Sequence, residues 1–252
     1  MKRFYLSVLF LCSFGSLFAG GPSFAFCDYS QGKVFIQENG EIVWEHKAPD
    51  SNDIWVLPNK NILFTAGKEV LEVSRKNDTI FHYTSESNIF ACQRLKNGNT
   101  FIGECDNGRL LEVSPDGSIV KDVSILPFGV KTGGHAFMRN ARCLDNGHYL
   151  VAHYGGKSVV EYDENGKAVW NIPISGGAHS VIRLPSGNTL VAVTDKDNNP
   201  GVFEYDMAGN IVWSLTNKDL PGTLKFAGGM HYLSDGRLFL TNWVGHVDAK
   251  NP

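Results

Sequence analysis

Three stretches of the chain set a histidine behind paired glycines: "TGGHAFMRNARC" with His135, "ISGGAHSVIRL" with His179 and "FAGGMHYL" with His231. Paired glycines let a backbone turn sharply and come close to a ligand or to a neighbouring strand. An imidazole near neutral pH is either a neutral donor–acceptor pair or a cation. Arginines follow on the same segments, Arg139 and Arg142 after His135 and Arg183 after His179. A guanidinium can grip a carboxylate, sulfate or phosphate through paired N–H groups. Brought to one place, these six residues would bind a small polar or anionic ligand, with His179 the candidate for any catalysis. The alternative is structural: crowded strand starts leave no room for a side chain, and the histidines hydrogen-bond neighbouring carbonyls.

Whether the six can meet depends on the elements that carry them. Five segments share an apolar residue, a polar turn and a second apolar run: "VLPNKNILFTA", "RLKNGNTFIGE", "CLDNGHYLVAH", "RLPSGNTLVAV" and "YLSDGRLFLTN". Their leucines, Leu57, Leu95, Leu144, Leu184 and Leu233, are spaced by 38, 49, 40 and 49 residues. The first four are followed by a third run ("VLEVS", "LLEVS", "VVEYD", "VFEYD"). An Asp/Asn/Gly turn and a fourth run ("DTIFHYT", "GSIVKDV", "GKAVWNI", "GNIVWSL") come next. Turn pairs such as Asn97-Gly98 and Ser186-Gly187 supply the backbone twist of tight hairpins, and no segment keeps a helical period. Four-strand units repeating at this spacing predict an all-β β-propeller of antiparallel blades, each covering its faces against its neighbours.

Residues 24–47 read as three strands of one more blade, and the unit from Leu233 offers only its first two. The expectation is six blades with an incomplete C-terminal one; five blades closed by the Leu233 strand is the alternative. In a propeller the first strand of each blade lines the central channel, which places the histidines and arginines near the axis. The histidines stand nine, five and two residues before their leucines, so the sequence leaves open whether they reach one depth.

"EYDENGKAVW", "EYDMAGNIVW" and "QENGEIVW" resemble the repeats of quinoprotein-like propellers. That resemblance implies that an outer-strand tryptophan docks on the next blade. Trp44, Trp170 and Trp213 hold this place, with Lys121 and His82 in the other copies. "LPSGNTLVA" is similar to arylsulfotransferase-type propellers, where an axial histidine accepts a sulfate. This likeness implies His179 as the nucleophile, with His231 and Arg139 or Arg142 stabilising charge. Those enzymes and the quinoprotein dehydrogenases are much longer, so no cofactor is expected. The expected function is a binding module for a small polar or anionic ligand, or a peptide, in the funnel. An arylsulfotransferase-like enzyme and a protein–protein interaction scaffold are the alternatives.

Several other polar features point to structure. Glu72, Glu112, Glu161 and Glu204 recur at one place in the third run, which suggests one hydrogen bond per blade and not an acid–base pair. "TDKDNNPG" lacks the ordered ligands of a calcium loop, and no metal is expected. "TNWVGHVD", with Trp243 and His246, reads as a funnel rim or a broken blade. The insert 124–134 exposes Phe128, and long loops on a rigid scaffold often carry binding.

The first residues, "MKRFYLSVLFLCSFGSLFAGG", combine two cations, a short apolar run and small residues, which predicts a signal peptide over 1–19. The mature chain, 20–252, would then be exported, periplasmic or secreted, with no membrane insertion. Formal charge is −3 for the whole chain and −5 once Lys2 and Arg3 leave. Mild acidity without a basic cluster excludes nucleic acid as a partner. Cys27, Cys92, Cys105 and Cys143 have no CxxC spacing and read as small buried hydrophobes; a Cys92–Cys105 disulfide is the alternative.

Overall fold

The computed structural model describes residues 23–194 and 200–243, and every regular element in them is a strand. The expected leader over 1–19, His246 and the centre of "TDKDNNPG" lie outside the described residues. No helix among the described residues is long and apolar enough to cross a membrane.

The leucine turn explains why the units repeat. Leu57, Leu95, Leu144, Leu184 and Leu233 each donate their N–H to the carbonyl four residues on, at 2.8–2.9 Å. The residue three further on returns its N–H to the leucine carbonyl, at 2.8–3.0 Å. That residue takes positive φ, which glycine adopts without strain: Gly98, Gly147, Gly187 and Gly236. The first unit carries Lys60 there, at φ 69°.

The first sheet has three antiparallel strands, β1 (Phe24–Asp28), β2 (Lys33–Glu38) and β3 (Glu41–Lys47). Four sheets have four strands each. The second comprises β4 (Ile54–Val56), β5 (Ile62–Ala66), β6 (Glu69–Val73) and β7 (Thr79–Thr84). The third holds β8 (Ile89–Arg94), β9 (Thr100–Glu104), β10 (Arg109–Val113) and β11 (Ile119–Ser124). The fourth runs through β12 (Asn140–Cys143), β13 (Tyr149–His153), β14 (Ser158–Tyr162) and β15 (Ala168–Pro173). The fifth is β16 (Gly177–Arg183), β17 (Thr189–Thr194), β18 (Gly201–Tyr205) and β19 (Ile211–Thr216). The last sheet is the hairpin β20 (Ala227–Tyr232) and β21 (Leu238–Asn242).

The chain is a β-propeller. Five of its sheets are blades of three or four strands, which corrects the expected six to the alternative count of five. The Leu233 unit contributes a two-stranded hairpin among the described residues. β20 packs on β16 and β17 on one side, and Phe239 of the hairpin meets Phe24 of β1 at 6.2 Å on the other.

Burial follows the blade order. The second strands β5, β9, β13 and β17 are buried at every position, whereas the outer strands β3, β7, β11, β15 and β19 are mostly exposed. The apolar cores lie between blades. Leu63, Val70 and Phe81 of the second blade meet Ile89, Ile102 and Leu111 of the third. Leu150 and Val159 of the fourth meet Val181 and Val191 of the fifth. Each such side chain removed from water contributes about 1.5–3 kcal/mol, so every blade depends on its neighbour.

Two of the four recurring glutamates join blades as well. Glu72 accepts from Asn61 at 2.6 Å and from Arg94 of the next blade at 2.6 Å. Glu161 accepts from His148 and from Arg183 in the same pattern. Glu112 is held by Asn97 and Asn99, and Glu204 by Asn188. Trp170 docks on the next blade, its Nε1 donating to the Met207 carbonyl at 2.8 Å. Strand register gives this place in the second blade to Phe81, opposite Glu72, and not to His82; Lys121 holds it in the third. Cys27, Cys92, Cys105 and Cys143 are free thiols, so the Cys92–Cys105 disulfide is not formed.

Candidate functional site

Antiparallel pairing sets the start of each inner strand beside the end of the second strand: Asn140 opposite Ala152, Gly177 opposite Thr194, Ala227 opposite Asn242. Residues just before an inner strand and just after a second strand therefore share one end of the propeller. A half-open cavity of about 190 Å³ lies there, lined by His135, Arg139, Tyr154, His179, Phe226 and Trp243, with Ala136 beside them.

A local irregularity aims the central side chains. Pairing slips between Ile89 and Ala91 in β8, making Phe90 an extra residue. It slips between Ala178 and Ser180 in β16, making His179 the extra residue, and across Gly228 and Gly229 in β20. A bulge turns its unpaired residue out of the ladder, which is why bulges collect beside sites. Arg139 stands at the same distance from the end of its inner strand, four residues before Cys143, as Phe90 from Arg94 and His179 from Arg183. Its guanidinium lies over the Phe90 ring, 4.5 Å from the centroid.

The paired glycines before His179 have a close-packing reason. A Cβ on Gly176 would strike the Thr194 carbonyl, and one on Gly177 would overlap the Tyr154 ring. The loop bearing His135 is tied down at several points. Gly133 donates to the Asp106 carbonyl and Gly155 to that of Ala136, both at 2.8 Å. His153 bridges the Phe137 carbonyl and the Tyr162 hydroxyl, at 2.9 and 2.8 Å.

One cation stands among rings. Arg139 Nη1 donates to His135 Nε2 at 2.9 Å; an arginine only donates, so Nε2 is the acceptor. His135 also meets Phe90 edge-on at 5.3 Å. Tyr154, His179, Phe226 and Trp243 form a chain of perpendicular ring contacts at 6.3, 5.0 and 5.0 Å. Burial, and then the Arg139 charge, hold the His179 pKa down at about 3, against an opposing pull from the Gly228 backbone. Its Nδ1 is buried with no hydrogen-bond partner among the described residues. His179 is thus a neutral ring near physiological pH. None of the lining residues is a carboxylate.

The sequence-selected residues divide into two groups. His135, Arg139 and His179 share the cavity; Arg142, Arg183 and His231 do not line it. Arg142 is held by Asp53 through two contacts of 2.6 and 3.0 Å and covers the Trp55 ring at 5.1 Å. Arg183 binds Glu161 at 2.6 Å and lies over Trp170. His231 sits three positions deeper along its strand than the bulge and is exposed. Partial desolvation of the ring against the sheet, and then the nearby Arg142 charge, lower its pKa. Tyr154 and Phe226 are wall residues that the motif search missed. Tyr154 directly follows a second strand, as Trp243 does, and that shared place was the available signal.

No protein-family profile matches the chain, and no curated protein sequence matches it. Solved structures do. A Bacteroides caccae protein of unknown function aligns with TM-score 0.78 and 24% identity, over 90% of this chain and 84% of that one. A streptogramin B lyase aligns with TM-score 0.62 and 16% identity, over 88% and 73%. A catalytically inactive virginiamycin B lyase from Staphylococcus aureus, solved with quinupristin, aligns with TM-score 0.60 and 15% identity, over 89% and 78%. At these identities the likeness is one of fold.

Proposed function

We propose that the chain is an exported binding module whose cavity takes a small anionic ligand on Arg139. One observation carries this reading. Among the described residues, Arg75, Arg94, Arg109, Arg142, Arg183 and Arg237 each have a carboxylate partner. Arg139 has an imidazole nitrogen as acceptor and an aromatic face instead. A half-buried guanidinium with no carboxylate partner among the described residues attracts an anion strongly, because water screens it poorly.

The transfer-enzyme alternative asks His179 for an accessible ring nitrogen. Its Nδ1 is buried, and the Gly228 backbone acts on the ring as a hydrogen-bond acceptor, which favours binding over chemistry. A peptide or protein partner at the same end is a second reading, favoured by Phe128, which is fully exposed on the loop leading to His135.

The test is calorimetric titration with acetate, sulfate and phosphate and with their aryl derivatives, on the wild type, Arg139→Ala and Arg75→Ala. Binding that Arg139→Ala abolishes and Arg75→Ala keeps is the expected result. Turnover of an aryl sulfate that His179→Ala abolishes would replace this reading with the enzyme. Export predicts that the protein recovered outside the cytoplasm begins at Gly20.

A further inference from the structure

Resting on that reading, we infer that the ligand is a small aryl monocarboxylate: one flat ring on a short arm ending in a single carboxylate. Three features select this class. The first is size. A dry cavity of about 150 Å³ holds a benzene ring, whereas drug-sized ligands occupy about 300 Å³ or more. The cavity here, about 190 Å³, suits one ring and a short arm.

The second feature is charge. Arg139 is the one arginine or lysine among the lining residues, and His179 beside it stays neutral. A single positive charge matches a monoanion; a second negative charge would lose water without gaining a partner. Nη1 is already engaged by His135, and the other guanidinium N–H groups form a planar fork that suits a flat carboxylate.

The third feature is the wall. Tyr154, His179, Phe226 and Trp243 meet successively at interplanar angles of 86°, 83° and 82°. Rings in such an edge-to-face series present both faces and edges, and a flat aromatic guest can extend it. Trp243 remains 40% exposed, so a ring arriving against it changes its environment. Sugars and aliphatic acids would fill the volume without using this geometry.

Titration with phenylacetate, followed by tryptophan fluorescence and calorimetry, tests the inference. Acetate, benzyl alcohol and benzylphosphonate supply the head alone, the ring alone and a doubly charged head. Phenylacetate should bind about 10- to 100-fold tighter than either fragment, the range expected from one charge-assisted hydrogen-bond pair or one buried ring. Phe226→Ala and Arg139→Ala should each weaken it by about tenfold or more, and Trp243→Phe should remove the fluorescence change while binding persists. Arg139→Lys, keeping charge without the fork, should fall between wild type and alanine. Circular dichroism confirms that each variant is folded. Acetate or sulfate binding as tightly as phenylacetate would leave the anion site standing and overturn the ring. Benzyl alcohol binding equally well would overturn the carboxylate. No binding by any anion would remove both this inference and the reading under it.

Discussion

The depressed pKa of His179 makes a stability prediction whose size follows from two values. In the unfolded chain its imidazole takes up a proton near pH 6.5; in the folded protein it does so only near pH 3. Folding therefore favours the neutral ring. The stability this contributes is present above pH 6.5 and is lost progressively as pH falls toward 3. Proton linkage then gives a loss of about 2 kcal/mol between pH 7 and pH 5, against a limit of about 2.8 kcal/mol for one proton over two pH units, because the unfolded ring is only partly protonated above pH 6.5. A folded pKa one unit higher would leave this figure almost unchanged, because both values lie at or below the lower end of the window. His153 and His231 are also depressed, so the wild-type slope alone is not diagnostic. The comparison is wild type against His179→Gln, by urea unfolding at pH 7 and pH 5. Wild type should lose about 2 kcal/mol more than the variant over that interval. Equal losses would mean that His179 ionises normally in the folded state and that its ring is in contact with water.

Other expectations concern residues assigned to structure. Asp53→Ala leaves the Arg142 guanidinium and the Cys92 N–H without their acceptor; unfolding should show a loss of roughly 3 kcal/mol or more, as for broken buried ion pairs. Gly177→Ala should cost about 1–3 kcal/mol by driving a methyl into Tyr154, and a crystal structure should show that ring displaced into the cavity. Arg183→Ala should lower the melting temperature while leaving the affinity for a carboxylate ligand unchanged, the reverse of Arg139→Ala. Cys92 and Cys105 are fully buried and burial raises both thiol pKa values, that of Cys105 to about 11; a thiol reagent at pH 8 should modify them only after denaturation.

The architecture was legible because it depends on local chemistry repeated many times. Each leucine turn carries its own hydrogen bonds, and the apolar runs on either side alternate or stay buried as the sheet requires. One copy could mislead; five could not. The blade count was harder, since it turns on the Leu233 unit, whose described strands are two. The tryptophan position in the second blade was misread by one residue. The docking residue stands nine positions after the recurring glutamate, Phe81 after Glu72 as Trp170 after Glu161, and matching the fourth runs from their first residues misses that spacing.

Site residues were legible only in part, for a related reason. His135, Arg139 and His179 were picked by type and by their glycines, and Arg142 and Arg183 by the same logic. What separates them is the partner each finds across blades. Asp53 is 89 positions from Arg142 along the chain, and no motif links them. Tyr154 and Phe226 stand outside the glycine–histidine pattern and so drew no attention, although both line the cavity.

The placement of Phe90, Arg139 and His179 suggests how such a scaffold varies its ligand. All three stand four residues before the end of an inner strand, where the ladder slips or has not yet begun, and none has a regular cross-strand partner. Elsewhere in the blade a substitution must satisfy two neighbouring blades at once, since the cores lie between them. Arg139 and His179 face the cavity, whereas Phe90 is buried in the core between the third and fourth blades. A phenyl, a guanidinium and an imidazole thus occupy equivalent places in consecutive blades, the first filled by the core and the other two open to a guest. The hairpin keeps Gly228 at that place, and Phe226 instead supplies its ring from two residues earlier. The axis end is thus a set of side-chain sockets, of which the one at Phe90 is closed by the core and those at Arg139 and His179 are open. Exchanging the residues at positions 90 and 139 for each other should therefore abolish anion binding in the cavity and lower the melting temperature, because it puts a guanidinium among Phe101, Met138 and Ala141. An unchanged melting temperature would show that position 90 is as open as position 139.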